Sequence, residues 1–434
     1  MSGGEVSLLM FGAFFALIVL RVPVAFALGL ACVPVFFIDD RLTPMLLMNE
    51  MLKSYNSFLL LAIPFFLLAA NLMNSAGITE KLVQLARTVV GHLPGGLGHV
   101  NVVVSMLFAG ISGSSTADAA GVGGVMIPAM KKQGYDARFT VALTACASVM
   151  GVIIPPSILM VVWGGVISVS IGGLFLAGVL PGILIGLSLM IAVYAYAKIY
   201  RYPVYARASL KEFGKTLAAA FLALLTPAII VGGIVSGWFT PTEASVVAVL
   251  YAMLLGVFVY RSVGVRGLPK VLYESARFAA ISLFCVGTAS AFGWLMAYFH
   301  LPQLFVDWVS SYGGGVTSVG FIVAGSFLVL GCFIDAIPAI IILGTMFAPL
   351  AASVGMHPIH FAIIGVISIA FGLVTPPYGL CLMISCALGG VSIKDALRDT
   401  LILLVPMLTV LLFVILVPEA MLALPRWVMP ALVK

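Results

Sequence analysis

The 434-residue chain is 63% hydrophobic and only 8% charged, with a formal net charge of +6 and a mean hydropathy of +1.24. A soluble domain carries roughly a quarter charged residues, so this chain cannot cover a water-facing surface. Its apolar runs exceed the roughly 20 residues that span a bilayer, which makes it an all-α polytopic membrane protein with no soluble domain of its own.

In chain order, "MSGGEVSLLM" has no Lys or Arg before Arg21, so it lacks the basic region of a signal peptide and the first apolar run reads as a retained span. Spans are expected at 6–20 and 23–38, then an amphipathic arm at 39–55 and a span at 56–76. The Gly-rich pair at 97–130 is too short for two complete spans and reads as a re-entrant hairpin. A helix broken by Pro155 and Pro156 follows at 137–168, then a span at 171–197. The same order is expected again: spans at 217–237 and 242–260, an arm at 261–277, a span at 278–299, a hairpin at 315–350, a broken helix at 359–389 and a span at 400–417.

Two Pro-Pro sites, "GVIIPPS" at 151–157 and "GLVTPPYG" at 372–379, anchor this repeat, and Pro155 lies 221 positions before Pro376. Pro128 and Pro349, Gly134 and Gly355, and Gly151 and Gly372 keep the same offset. The expected division is a first repeat at 1–200, a cytoplasmic linker at 201–215 and a second repeat at 216–434. Five complete spans per repeat is odd, so the repeats must be inverted. With the N-terminus outside, 17 of the 21 Lys and Arg residues fall in inner loops, and only Arg41, Lys53, Arg426 and Lys434 fall outside. That bias satisfies the positive-inside rule.

Prolines inside a span remove backbone donors and forbid a continuous helix. Inverted repeats with discontinuous helices are the architecture of secondary transporters, because a break exposes carbonyls on one side and amides on the other. The first hairpin tip, "AGISGSSTADAAG", offers Ser112, Ser114, Ser115, Thr116 and Asp118; the second, "GCFIDAIPA", offers Asp335. Unwound carbonyls with Ser or Thr hydroxyls make a hard-oxygen cage suited to Na⁺. Asp118 and Asp335 are the acids expected at membrane depth, where a charge is costly and a functional role is the default. Either can instead cap the hairpin's outgoing helix.

Enzymatic readings fail. The "GKT" at 214–216 has Ser209 where a phosphate loop needs its first glycine. Six cysteines lack metal-ligand spacing, and the five histidines form no metalloprotease motif. Without a nucleotide site, transport must draw on an ion gradient.

"GISGSSTADAAGVGGVMIPAM", "ASVMGVIIPPSILMVVWGG", "FIDAIPAIIILGTMFAPLA", "GMHPIHF" and "GLVTPPYG" together resemble the large membrane subunit of tripartite ATP-independent periplasmic (TRAP) transporters, over essentially the whole chain. The resemblance implies an elevator-type, sodium-driven importer of the bacterial inner membrane, and the charge threading puts both termini on the periplasmic side. The resemblance also implies a separate small subunit of about four spans and a periplasmic solute-binding protein. It places one Na⁺ site on Ser112, Ser115, Gly151, Ile154 and Pro155, and another on Gly331, Asp335, Gly372, Thr375 and Pro376. An organic anion such as a C4-dicarboxylate, sialic acid or another sugar or keto acid is assigned to Ser114, Thr116, Ser157, Thr375 and Tyr378. The alternatives are a stand-alone sodium–carboxylate symporter of the same superfamily, needing no partners, and a gated channel.

Overall fold

The computed structural model describes residues 3–262, 264, 267–311 and 313–430. Among them there are helices and no strand. In order these are α1 (Gly3–Val19), α2 (Val24–Ala31, continued by the 3-10 turn Val33–Phe37), α3 (Pro44–Tyr55), α4 (Ala62–Ser75, entered through the 3-10 turn Phe58–Leu61), α5 (Ile78–Val90), α6 (Gly96–Ser112) and α7 (Ser115–Lys132). Next come α8 (Ala137–Ser148, ending in the 3-10 turn Val149–Val152), α9 (Ile158–Ile167) and α10 (Ile171–Tyr200). The order then recurs with α11 (Leu210–Val235), α12 (Pro241–Met253, ending in the π-helical turn Leu254–Val259), α13 (Leu268–Tyr298), α14 (Leu301–Ser311), α15 (Val316–Gly331) and α16 (Ala336–Ser353). It closes with α17 (Pro358–Gly372), α18 (Leu380–Gly389), α19 (Ile393–Leu416) and α20 (Pro418–Val428). Seven segments of the described residues have the length and hydropathy to cross a bilayer, α10, α11, α13 and α19 among them.

Helix pairs joined by short turns lie at the two expected hairpins and helix breaks lie at both Pro-Pro sites, although α16 is itself long and apolar enough to cross a bilayer, and local chemistry sets the helix ends. At the first tip, Gly113 takes φ +64, a left-handed conformation natural to glycine, and Ser114 then caps α7 by accepting from Ala117 N. Both Pro-Pro bonds, 155–156 and 376–377, are cis. Thr240 and Glu243 form a reciprocal capping box at the start of α12.

The arms depart from expectation. The second arm and the span after it are one 31-residue helix, α13, because after Pro269 in its first turn, where proline is tolerated, the segment has no further proline. The first arm is separate: α3 stops at Tyr55, and Asn56 and Ser57 turn the chain before α4. Residues 263, 265 and 266 of the expected second arm lie outside the described residues, as does Lys434. Three further helices, α5, α14 and α20, were not anticipated. They are amphipathic and short, so a search for apolar spans passes over them.

The helices group into a wall and a core, joined by extensive packing of α13 on α16. Within the wall, α13 runs against α2, α3 and α4, and α4 lies along α12. Asn71 Nδ2 donates to Ser275 Oγ at 2.8 Å, and Thr242 Oγ1 donates to the Phe58 carbonyl at 2.9 Å. In the core, elements far apart in sequence interleave: α18 packs on α7 and α8, and α9 packs on α16. Lys131 Nζ, at the end of α7, donates to the Gly389 carbonyl at 2.7 Å, placing a cation on the negative end of α18. Fully buried Trp163 of α9 sits between Phe327 and Phe361, with ring centroids 5.3 Å away in each case. A Cβ at Gly365 would strike that indole, so the glycine is what admits it. Lipid offers little hydrophobic drive between helices, and close fits of this kind hold the core together.

Candidate functional site

Helical pairing needs the N–H of residue i+4. Pro155 and Pro156 therefore leave Gly151 and Val152 without donors, and Pro376 and Pro377 do the same to Gly372 and Leu373. The structure resolves these debts locally. Ser157 Oγ donates to the Val152 carbonyl at 2.6 Å, and Cys381 N donates to the Leu373 carbonyl at 2.9 Å. Thr375 N reaches the Gly372 carbonyl at 3.0 Å, whereas Ile154 N turns to Met150 at 2.8 Å.

Each loop is pinned to its own hairpin tip by a backbone amide just past the prolines. Ile158 N donates to the Gly113 carbonyl at 3.1 Å, and Tyr378 N donates to the Cys332 carbonyl at 2.9 Å. The approach is close enough to demand glycine. A Cβ on Gly372 would lie 2.6 Å from Gly331 Cα, and one on Gly151 would lie 2.8 Å from Asp118 Cγ and 3.0 Å from the Ser114 carbonyl carbon. The C-terminal ends of α15 and α17 thus meet at Gly331 and Gly372, and those of α6 and α8 meet near Ser112 and Gly151. Helix C-termini carry partial negative charge, which favours cations.

The opposite ends face a cavity of about 300 Å³ lined by both tips. Ser114, Ser115 and Thr116 open α7; Ile158 and Leu159 open α9; Asp335, Ala336 and Ile337 open α16; Leu380 opens α18. Four helix N-termini therefore border one space, with α4 and α13 closing it through Leu67, Phe278 and Ser282. Its lining holds no Lys or Arg, and Asp335 is its one ionisable group.

The expected site residues divide accordingly. Ser114, Ser115, Thr116 and Asp335 line the cavity. Ser112 and Gly151 lie behind the first tip, and Gly331, Gly372 and Thr375 lie behind the second. The Ile154 side chain points at Gly182 of α10, where a Cβ would strike it, so only its backbone is free for a ligand. Pro155 is buried beside it, while Pro376 is partly exposed. Three residues assigned to the substrate are placed otherwise. Ser157 is buried, bonds to Val152 and caps α9. Thr375 Oγ1 donates to the Phe371 carbonyl at 2.8 Å, and Tyr378 is 43% exposed on the second loop. None of the three borders the cavity.

Asp118 lies among the residues expected to form the first ion site, although the expected ligand set omitted it. It is fully buried, takes the Ser112 hydroxyl on Oδ1, and leaves Oδ2 without a partner against Gly151. Ser115 Oγ is likewise buried without a partner. The signal was present in the sequence as an acid inside an apolar run. The capping alternative holds for Asp335, which accepts from Ala336 N at 2.8 Å, and not for Asp118, since Ser114 caps α7. Cys381 also went unremarked as a site residue: its thiol adjoins Ser115 and Ser148, so α18 touches the first site directly.

Discontinuous helices in pairs, closing on hairpin tips around a polar pocket inside an apolar bundle, define the class of secondary transporters. The comparisons narrow the class. The family described as "Tripartite ATP-independent periplasmic transporter, DctM component" matches residues 11–420, and the chain belongs to that family. It is 40% identical over 378 residues to the sialic acid TRAP transporter large permease protein SiaM of Vibrio cholerae, covering 87% of this chain and 88% of that one. Identity is 38% to the C4-dicarboxylate TRAP transporter large permease protein DctM of Pseudomonas aeruginosa, with 87% and 88% covered. It is 31% to the 2,3-diketo-L-gulonate large permease YiaN of Escherichia coli, with 97% and 99% covered. Among solved structures, the YdaH transporter of Alcanivorax borkumensis shares the fold, with a TM-score of 0.62 at 14% identity over 86% of this chain and 88% of that one.

Proposed function

We propose that the chain is the translocation subunit of a sodium-driven, binding-protein-dependent importer of a small organic anion, working by an elevator motion. The observation that carries this is the convergence of four helix N-termini and the Ser114–Thr116 hydroxyls on one cavity free of Lys and Arg. N-terminal dipoles and backbone amides favour a carboxylate there. The paired C-terminal ends behind each tip favour Na⁺, and the orphaned oxygens of Asp118 and Ser115 suit its first site. Bound Na⁺ would organise the tips and thereby the anion pocket, which couples the two.

The elevator reading rests on the packing division: the hairpins and broken helices interleave as one body, and α4, α12 and α13 form a wall beside it. The names of the family and of its relatives point to partners, a small membrane subunit and a periplasmic binding protein. The charge distribution supports two inverted repeats divided at 201–215, both termini periplasmic, and a bacterial inner-membrane location. Cysteines placed at Lys132 and Ser209 are then labelled only from the cytoplasm, and one at Ser311 only from outside; outside labelling at Ser209 would reject the inverted threading. The decisive experiment is uptake in proteoliposomes with the small subunit and the cognate binding protein, with and without a Na⁺ gradient. Uptake should vanish without the gradient and without the binding protein. Undiminished uptake by this chain alone would select the stand-alone symporter.

A further inference from the structure

A second cavity, of about 410 Å³, lies on the same seam between wall and core as the tip cavity. The two are in register along three helices. On α9 the tip cavity touches Ile158 and Leu159 and the second cavity touches Gly165 and Val166; on α16 the pairs are Asp335–Ile337 and Ile341 with Thr345. On α13 they are Phe278–Ser282 and Val286–Ala297. Gaps of four to six residues at 1.5 Å of rise leave about 6–9 Å between them. The two cavities thus lie one above the other along α9, α13 and α16, with α3 bordering the outer one.

The outer cavity has what the tip cavity lacks, a cation. Lys53 of α3 lines it, and Nζ donates to Glu50 Oε1 at 2.5 Å, with the Lys53 side chain 71% exposed and that of Glu50 15% exposed. An ammonium has three donors, so two remain. The ammonium end of the pair is exposed while the carboxylate end is largely buried, so an arriving carboxylate can use the two remaining donors without displacing Glu50. Ser57 and Ser290 also line the cavity, and neither hydroxyl has a partner among the described residues.

We infer that the outer cavity is a separate, transient binding site for an organic carboxylate, held by the two free donors of Lys53 with the Ser57 and Ser290 hydroxyls, while Glu50 keeps the third donor. The inference rests on the organic-anion reading of the tip cavity. A strong site here would trap the anion; a cation already neutralised by Glu50 holds it weakly and lets go.

The test measures local potential and occupancy without a transport step. Ala297→Cys, which lines the cavity, is reacted with an anionic and a cationic methanethiosulfonate, in a chain whose own six cysteines are all buried. Lys53→Gln should lower the anionic-to-cationic rate ratio by about sevenfold, the effect of roughly one kT on reagents of opposite unit charge. Lys53→Arg should restore the ratio, and Glu50→Gln should raise it. At constant ionic strength, succinate or sialic acid should slow the anionic reagent, by about twofold at half-occupancy, and Lys53→Gln should abolish that protection. A ratio indifferent to Lys53, protection by neither carboxylate, or protection that survives Lys53→Gln would each overturn the site. Should uptake prove independent of sodium, the functional reading fails while the labelling result stands.

Discussion

From Gly151 to Ser157 the first break is buried almost throughout, whereas at the matching place in the second break Pro377 and Tyr378 are exposed. The difference traces to two residue pairs. Ser157 is small enough to fold back onto the Val152 carbonyl and cap α9, while Tyr378, its counterpart 221 positions on, cannot, and Gly379 at φ +42 starts α18 instead. Ile154 packs into α10, while its counterpart Thr375 keeps a hydroxyl at the loop. The carboxylates differ in the same sense. Asp118 is sealed behind its tip with one oxygen unpartnered, and Asp335 stands in the cavity wall as a helix cap. One plan thus yields a tip that seals its carboxylate and a tip that presents its carboxylate to the cavity.

The largest effect should come from breaking what the two sites share. Gly372→Ala would set a Cβ 2.6 Å from Gly331 Cα and 2.8 Å from the Leu328 carbonyl oxygen, where backbone must give way. Overpacking costs about 1–3 kcal/mol or more, and here it also pries the loop from the tip. Uptake should fall to background and the thermal midpoint in detergent should drop. Gly124→Ala, with nothing within 4 Å of the new Cβ, should leave both unchanged. Retained uptake in Gly372→Ala would mean that tip and loop need not touch.

Removing charge should then separate the sites. Asn caps a helix about as well as Asp, so Asp335→Asn keeps the turn and removes only the charge. Asp118→Asn keeps an acceptor for Ser112 and likewise removes only the charge. Loss of a buried ligand group costs on the order of 1–3 kcal/mol, or about 5- to 150-fold in affinity. Asp118→Asn should raise the half-saturating Na⁺ concentration toward the upper end of that range, because its free oxygen has no protein partner. Asp335→Asn should raise it less and should change the apparent affinity for the anion as well, since Asp335 borders that cavity. Sodium-activation curves at matched expression decide, and equal effects would remove the distinction.

Much of this was legible in the chain because it depends on chemistry that is local. Prolines at 155–156 and 376–377 must break a helix, and glycine with serine at 113–114 must turn and cap one. What escaped depends on tertiary placement. Nothing local in Ser157 or Tyr378 says that one folds inward and the other faces out. The fusion of arm and span into α13 follows from the absence of a stop signal, which is harder to see than a signal. That both tips share one cavity is a fact of packing between residues more than 200 positions apart.

The smallest separation lies between two hydroxyls. Ser115 Oγ is buried with no partner, so Ser115→Ala removes an oxygen whose only prospective partner is the ion. Thr375 Oγ1 already donates to the Phe371 carbonyl at 2.8 Å and offers an ion only its lone pairs. Thr375→Val keeps the shape and removes both the bond and the ligand oxygen. Ser115→Ala should raise the half-saturating Na⁺ concentration well within the 5- to 150-fold range, and Thr375→Val should sit near its lower end, about fivefold. Ser170→Ala, which removes a cap on α10 far from both tips, should lower stability without moving the sodium curve. If Ser115→Ala and Thr375→Val both leave half-saturation and Hill slope unchanged, the side-chain oxygens are not ligands. The carbonyls freed at Gly151 and around Thr375 would then have to hold the ion alone.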